Sequence, residues 1–526
     1  MPGVRVTRRW LTALGLALLV QCVLLTACER SRNENASEQR SVLRRSLGAE
    51  PATLDPQLAE DNASLAVIAD LYEGLTRIAA DGSVVPGAAE RWEQSTDRLT
   101  YIFHLRSGLT WSNGDALTAA HFAAGLERAT APDSVAPYRP LLEAVGRVEA
   151  IDERTLRLTL SRPVLYLPAL LALPVAMPLH PSARSVDERP VNGAYVLANR
   201  IPGEKIELVR NERFHDAATV AIDRIVHLPL VDLGAEVARF RTNALDLTSE
   251  VPNSQFADLR AKLPDQLRAD PYLSVYAYAV NLGRLPSHEM RRALALAIDR
   301  ERITSLVTGA GERPAYGWVP DGLPGYAGAR YAWAGQPAPE REAAARSAWH
   351  IATASAPFAR PLVLCTDASD NHHRTAVALA DMWHATLGVE VRVVELEWNV
   401  YLATRRAPGE CDLIRLGWSA DFVDPEAFLG LFESGHPQNT LGYSSPAYDR
   451  LLVASRAAAD EAQRLEQLAG ADAQLLDDMP VIPVFFRVTK RLVQPWVEGY
   501  RPNPLGQIAS RDLALRPRAE EKAGGD

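Results

Sequence analysis

Residues 361 to 416 run strand, helix, strand, short helix, strand, an order that closes only into a parallel sheet with right-handed crossovers. The first strand is Pro361 to Thr366 (PLVLCT). Ala376, Leu379, Ala380, Trp383 and Leu387 then recur at the spacing of one helical face over 372 to 386. Ser369 or Asp370 can cap that helix and Gly388 can end it. Val389 to Leu396 alternates as a second strand, a short helix starts at Trp398, and Asp412 to Leu416 is the third strand. This is α/β architecture.

In such sheets ligands bind beyond the carboxyl ends of the strands. The loops there are Asp367 to His373 and Gly417 to Pro425, the latter reading Gly-Trp-Ser-Ala-Asp-Phe-Val-Asp-Pro. Arg415 and Asp421, six residues apart, suit a zwitterion, one meeting a carboxylate and the other an ammonium. The same pair also fits a surface ion pair and a turn aspartate.

The N-terminus belongs to export rather than to the fold. Arg5, Arg8 and Arg9 precede an apolar stretch, Leu11 to Leu25, that is shorter than the roughly twenty residues a spanning helix needs. Leu25-Thr26-Ala27-Cys28 resembles the lipobox of bacterial lipoproteins, which implies cleavage after residue 27 and lipidation of Cys28; an ordinary cleavage site is the other reading. Polar residues 29 to 40 then form a tether, and a similar tail begins near Pro517. Cys365 and Cys411 are the thiols left to an exported domain, where pairing is chemically allowed. Their positions, late in one strand and at the start of a parallel one, predict a separation too large for a disulfide, hence two buried thiols.

With 526 residues the chain holds two to four domains. Charge is -9 and only four of the basic residues are Lys, so no nucleic-acid surface is expected. Pro168, Pro174 and Pro178 break the apolar stretch from Val164 to His180, which reads as core or binding wall and not as a membrane span. G-x-S-x-G, H-E-x-x-H, C-x-x-C and Walker A are all missing from the sequence. Gly309 and Gly311 lack a third glycine and a strand context, and His372, His373 and His384 lack metal-site spacing. No enzyme, cofactor or metal is expected.

Short segments in a fixed order carry a family resemblance over residues 42 to 515: Thr53-Leu54-Asp55-Pro56, Tyr72-Glu73-Gly74-Leu75, Phe103-His104-Leu105-Arg106, Trp111-Ser112-Asn113-Gly114-Asp115, Asn192-Gly193-Ala194-Tyr195, Arg291-Arg292-Ala293-Leu294, Ile298-Asp299-Arg300, Gly442-Tyr443, Pro446 with Tyr448-Asp449, and Pro480-Val481-Ile482-Pro483-Val484. The chain resembles the oligopeptide-binding lipoproteins of bacterial ABC importers, the large three-domain solute-binding class. The resemblance implies a two-lobed periplasmic binding protein fold with an additional domain on the first lobe and the ligand cleft between the lobes. It implies signal peptide 1–27, tether 28–41, lobe I from 42–75, 190–275 and 494–516, the extra domain at 76–189, lobe II at 276–493, and a tail at 517–526.

Position by position, the resemblance implies that Asp421 holds the peptide ammonium and that Arg415, Arg405 and His372 meet the C-terminal carboxylate. Glu60 and Tyr138 would face the ligand, Gly417 and Ser419 would offer main-chain groups, and Trp398 would wall a pocket. Arg406 beside Arg405 and His373 beside His372 leave open which neighbour points inward. Departures are His121 in place of an aspartate, Ser249 and Glu250 in place of aromatic and amide residues, Ala277 in place of a tyrosine, and serines at 274 and 419 where some relatives carry a cysteine pair. The implied function is capture of short peptides for an ABC permease and its ATPase by a monomer lipid-anchored at Cys28 in the periplasm. Murein-peptide, dipeptide or haem, and nickel receptors of the same family are alternatives, as is a transport-independent chaperone or adhesin.

Overall fold

A computed structural model describes residues 42–182, 185–354, 357–436 and 438–517; Cys28 and the expected signal and tether lie outside them. Among the described residues no helix is long and apolar enough to cross a membrane.

Three larger sheets organise the chain. The first has the order Val42–Ser46, Arg224–Leu228, Lys205–Arg210, Tyr195–Ile201. The second is antiparallel, in the order Ala89–Gln94, Thr100–Leu105, Thr155–Leu160, Val145–Ala150. Helix Ala119–Thr130 covers it, burying Phe122, Leu126 and Ala129. His121 sits at the third position of that helix and its Nδ1 accepts the Thr118 N–H at 3.0 Å. That is the task a carboxylate does in a capping box, so histidine here satisfies a helix end.

The third sheet contains the βαβαβ unit. Strands Val391–Leu396, Leu362–Asp367 and Leu413–Ser419 are parallel, with helices Asp370–Leu387 and Trp398–Arg406 as the crossovers. Ala376, Leu379 and Trp383 of the predicted apolar face are fully buried, and the Trp383 indole donates to Leu294 O at 2.9 Å. Gly388 ends the helix in the left-handed conformation, at φ 69°, where a side chain would be strained. Two long antiparallel strands, Leu267–Val280 and Val481–Leu492, extend the sheet, which the short strand Arg313–Pro314 closes at the far edge. Their far ends join the first sheet's surroundings: Thr248 N–H donates to Leu492 O at 3.1 Å, and Leu247 bridges both Arg45 and Val493. The register breaks between Pro271 and Val275, a bulge that bends the pair as it crosses.

The segment after Val164 is both core and wall. Val164, Leu167, Leu170, Leu171 and Val175 are buried, whereas Ala172, Leu173, Pro174 and Met177 line the large cavity described below.

Cys365 and Cys411 form a disulfide, with Cα atoms 5.8 Å apart, which corrects the expectation of two free thiols. The strand begins at Leu413, not at Asp412, and Cys411 lies in the preceding turn, its N–H bonded to Pro408 O at 2.9 Å. The turn folds Cys411 onto the face of Val363, Cys365, Tyr401 and Ile414, where a straight strand would have carried it away. Cross-linking across 46 residues restricts the unfolded chain, so the Cys365→Ser, Cys411→Ser double variant is expected to lose roughly 2–4 kcal/mol of stability, measured by denaturant titration under non-reducing conditions.

Candidate ligand-binding site

The loop after Leu413–Ser419 is pinned on both sides. Ala420 N–H donates to Leu273 O at 2.9 Å, the Trp418 indole donates to Ala427 O at 2.6 Å, and Asp424 is held by Arg464 at 2.5 Å. Phe422 stacks on Tyr166 at 4.7 Å, tying the loop to the segment that follows the second sheet. Between these anchors Asp421 faces a cavity of ≈ 650 Å³.

Glu60, Tyr138 and Ser419 line the same cavity as Asp421. Glu60 immediately precedes Asp61, which caps helix Asn62–Leu71 by accepting the Ser64 N–H at 2.9 Å. Tyr138 stands at the start of the short helix Arg139–Leu142, and its hydroxyl meets Asp421. Burial pushes the Asp421 carboxyl up to about 6, with the Tyr138 hydroxyl holding part of the rise back. Among the described residues Asp421 has no cationic partner. A buried carboxylate without a cation is costly in the empty protein and is relieved by a cationic ligand.

Main-chain groups are available beside it. Leu413–Ser419 pairs along its whole length with Leu267–Val280, but Leu362–Asp367 on its other side pairs only as far as Ile414. Beyond Ile414 that edge is open except where the Tyr401 hydroxyl donates to Arg415 O at 2.8 Å, so an extended chain can add as a strand. Ser419 Oγ donates to Ser274 Oγ at 2.9 Å on paired strands.

The other candidates stand apart from the large cavity. Arg415 approaches Asp367 at 2.5 Å as an ion pair, although its Nε–H is not directed along a hydrogen bond, and its guanidinium lies over the Tyr401 ring at 4.9 Å. Asp367 also holds the His372 Nδ1 at 3.0 Å. Burial alone would raise Asp367, but His372 and Arg415 outweigh it and keep the carboxyl below its usual range. His372 is held low by burial against the pull of Asp367, with Arg415 and Arg487 adding repulsion. Its neighbour His373 pairs with Glu395 instead. Gly417 leaves room for Arg415, since a Cβ there would come within 3.0 Å of its Nη1. Arg405, and not the exposed Arg406, lines a separate cavity of ≈ 30 Å³ together with Arg415. Trp398 begins its helix, but its side chain lies outside the described residues.

Of the nine ligand-site residues named from sequence, the structure gathers Glu60, Tyr138, Ser419 and Asp421 around one cavity and commits Arg415 and His372 to Asp367. It adds residues that sequence reading passed over, Tyr272 with Arg487, Thr489 and Arg491, all from the two long strands. The available signal was the polar alternation of Arg487, Thr489 and Arg491 after an apolar run.

Residues 83–440 match the family model described as "Bacterial extracellular solute-binding proteins, family 5 Middle". The chain is 34% identical to the periplasmic oligopeptide-binding protein OppA of Salmonella typhimurium, the match covering 97% of this chain and 99% of that protein. It is 32% identical to the probable deoxycholate-binding periplasmic protein YgiS of Escherichia coli, covering 96% of this chain and 98% of the relative. Among solved structures it resembles Haemophilus influenzae OppA in complex with the peptide RPPGFSPFR, with a TM-score of 0.77 at 32% identity, covering 90% of this chain and 99% of that one. Sheet order, the large cavity that Asp421 faces and these likenesses together make the chain a member of the bacterial extracellular solute-binding proteins, family 5.

Proposed function

We propose that this protein is the solute-binding component of a peptide ABC importer, which takes a short peptide into the cavity and presents it to a membrane permease and its ATPase. The observation that carries the reading is Asp421, a largely buried carboxylate without a cationic partner among the described residues, set beside an open strand edge. An ammonium and an extended main chain are features every free peptide shares, so affinity can be high while sequence preference stays broad. The residues serve binding and not catalysis.

The reading divides the chain into lobes built from 42–75, 190–275 and 494–516 and from 276–493, with 76–189 as the extra domain; in its support, the first large sheet draws on the first group, the second on 76–189, and the third on 276–493 except for the start of Leu267–Val280. Closure of the lobes over the ligand would bend the paired long strands near their bulge. The relatives' periplasmic location, the export signal and the disulfide support a periplasmic protein, lipid-anchored through Cys28. YgiS supplies a specific second reading, an anionic sterol, which lacks the ammonium that Asp421 awaits.

Native mass spectrometry of the exported chain, followed by calorimetry with tri- and tetrapeptides, their N-acetyl forms, a murein tripeptide and deoxycholate, tests the reading. Free-amine peptides should bind and acetylated ones should not; binding of deoxycholate or only of murein peptide would replace it. Affinity should also depend on pH with a definite sign. The ammonium needs ionised Asp421, whose carboxyl lies at about 6 in the empty cavity. Binding should therefore be near full strength at pH 7 and about tenfold weaker at pH 5, with a proton released per peptide bound at the lower pH. Asp421→Asn should abolish this dependence.

A further inference from the structure

Arg415 and His372 are occupied by Asp367 and Arg405 lines a separate small cavity, which directs attention to the cations of the large cavity itself. Along Val481–Leu492, side chains 487, 489 and 491 fall on one face by strand alternation, and all three residues line the large cavity. Arg487 is exposed there and has no hydrogen bond and no acidic partner among the described residues. Thr489 Oγ1 and Arg491 Nη1 are buried polar atoms without a partner. Arg491 otherwise donates to the main-chain carbonyls Ser249 O at 3.2 Å and Gly506 O at 2.9 Å and meets the Tyr500 hydroxyl. One strand face thus presents two guanidinium groups and a hydroxyl with unused hydrogen-bonding capacity, and among the described residues neither guanidinium is in an ion pair.

The position relative to Asp421 is set by the sheet. Ser419 pairs with Ser274, and Arg487 stands on the next strand, beside Phe486, which pairs with Val275. Two strand spacings are about 10 Å, the reach of about three extended residues. A peptide whose ammonium meets Asp421 can therefore bring a carboxylate to Arg487.

Resting on the peptide-receptor reading, we propose that the cavity selects peptides that place a carboxylate, from an acidic side chain or from the C-terminus, on Arg487 with Thr489 and Arg491 in support. A guanidinium offers a planar fork that can pair bidentately with a carboxylate, and it repels a lysine in the same place.

Calorimetric titration of the exported chain with tetra-alanine, with tetrapeptides bearing one Glu or one Lys at each position, and with the C-terminal amides tests this. With a side-chain source, Glu at one position should bind about tenfold tighter than alanine and Lys there weaker. With a C-terminal source, amidation should cost a similar factor. In either case Arg487→Gln should remove the difference and Arg487→Lys should retain part of it. If tetra-alanine binds but neither Glu nor amidation changes affinity beyond about twofold, or if Arg487→Gln leaves the preference intact, the carboxylate site is wrong and the receptor reading stands. If no free peptide binds at all, the receptor reading falls and takes this assignment with it.

Discussion

Asp421→Asn is expected to weaken binding of a free-amine tetrapeptide about 100-fold while leaving the protein folded. The substitution keeps the shape and the hydrogen-bonding contact to Tyr138 but removes the charge that faces the ammonium. A charge-assisted hydrogen bond is worth about 1.5–3 kcal/mol, and losing one partner of a desolvated pair costs about 2–5 kcal/mol. Calorimetry should show the wild type separating free-amine from N-acetyl peptide and the variant treating them alike. Stability should move the other way. The carboxyl is raised in the folded protein to about 6, so its favourable contribution is present below its unfolded value and is lost as pH rises through 6. At pH 7 the empty wild type carries an unpaired buried charge that asparagine lacks, and the ligand-free variant should melt no lower than wild type. Undiminished affinity in the variant would place the ammonium elsewhere, with Glu60 the next acid in the cavity.

Asp412→Ala is expected to destabilise the protein by about 1.5–3 kcal/mol, a loss measured in denaturant. Asp412 is fully buried and receives Arg360 at 2.5 and 2.7 Å, Arg284 at 2.8 Å and the Val363 N–H at 2.8 Å. It holds three segments together at the start of the strand that leads to Asp421, and its removal leaves the Val363 N–H and two partly exposed guanidinium groups without their shared acceptor. Burial would raise its carboxyl, but the arginines and the Val363 N–H outweigh that and depress it. A depressed carboxyl contributes stability above its unfolded value and loses it as pH falls through the folded one. The gap between wild type and Asp412→Asn should accordingly narrow below about pH 4.

The βαβαβ unit was legible because periodicity is local. Ala376, Leu379 and Trp383 mark a helix face whatever they pack against, and Gly388 marks its end. The disulfide was not legible, because it turns on where one strand begins. A shift of that start by a residue and a turn at Pro408–Cys411 bring Cys411 to Cys365, and neither is visible as a pattern. Arg415 shows the same limit at the site. Its strand and its place beside the loop were readable, but its partner, Asp367, belongs to the adjacent strand, and pairing across strands depends on register.

By itself the sequence determined the order of the elements, the parallel sheet with its ligand loops at the carboxyl ends, and the family to which a long ordered set of short segments belongs. Only the tertiary structure decided which charges are spent on one another and which remain for a ligand. Asp421 stays unpaired because the loop anchors at Ala420, Phe422 and Asp424 turn it into the cavity, whereas Arg415 is neutralised within its own sheet. A charged residue's environment is the sum of everything folded around it. Local sequence pattern carries the backbone, but the balance of desolvation and pairing that makes a binding site is set by distant segments meeting.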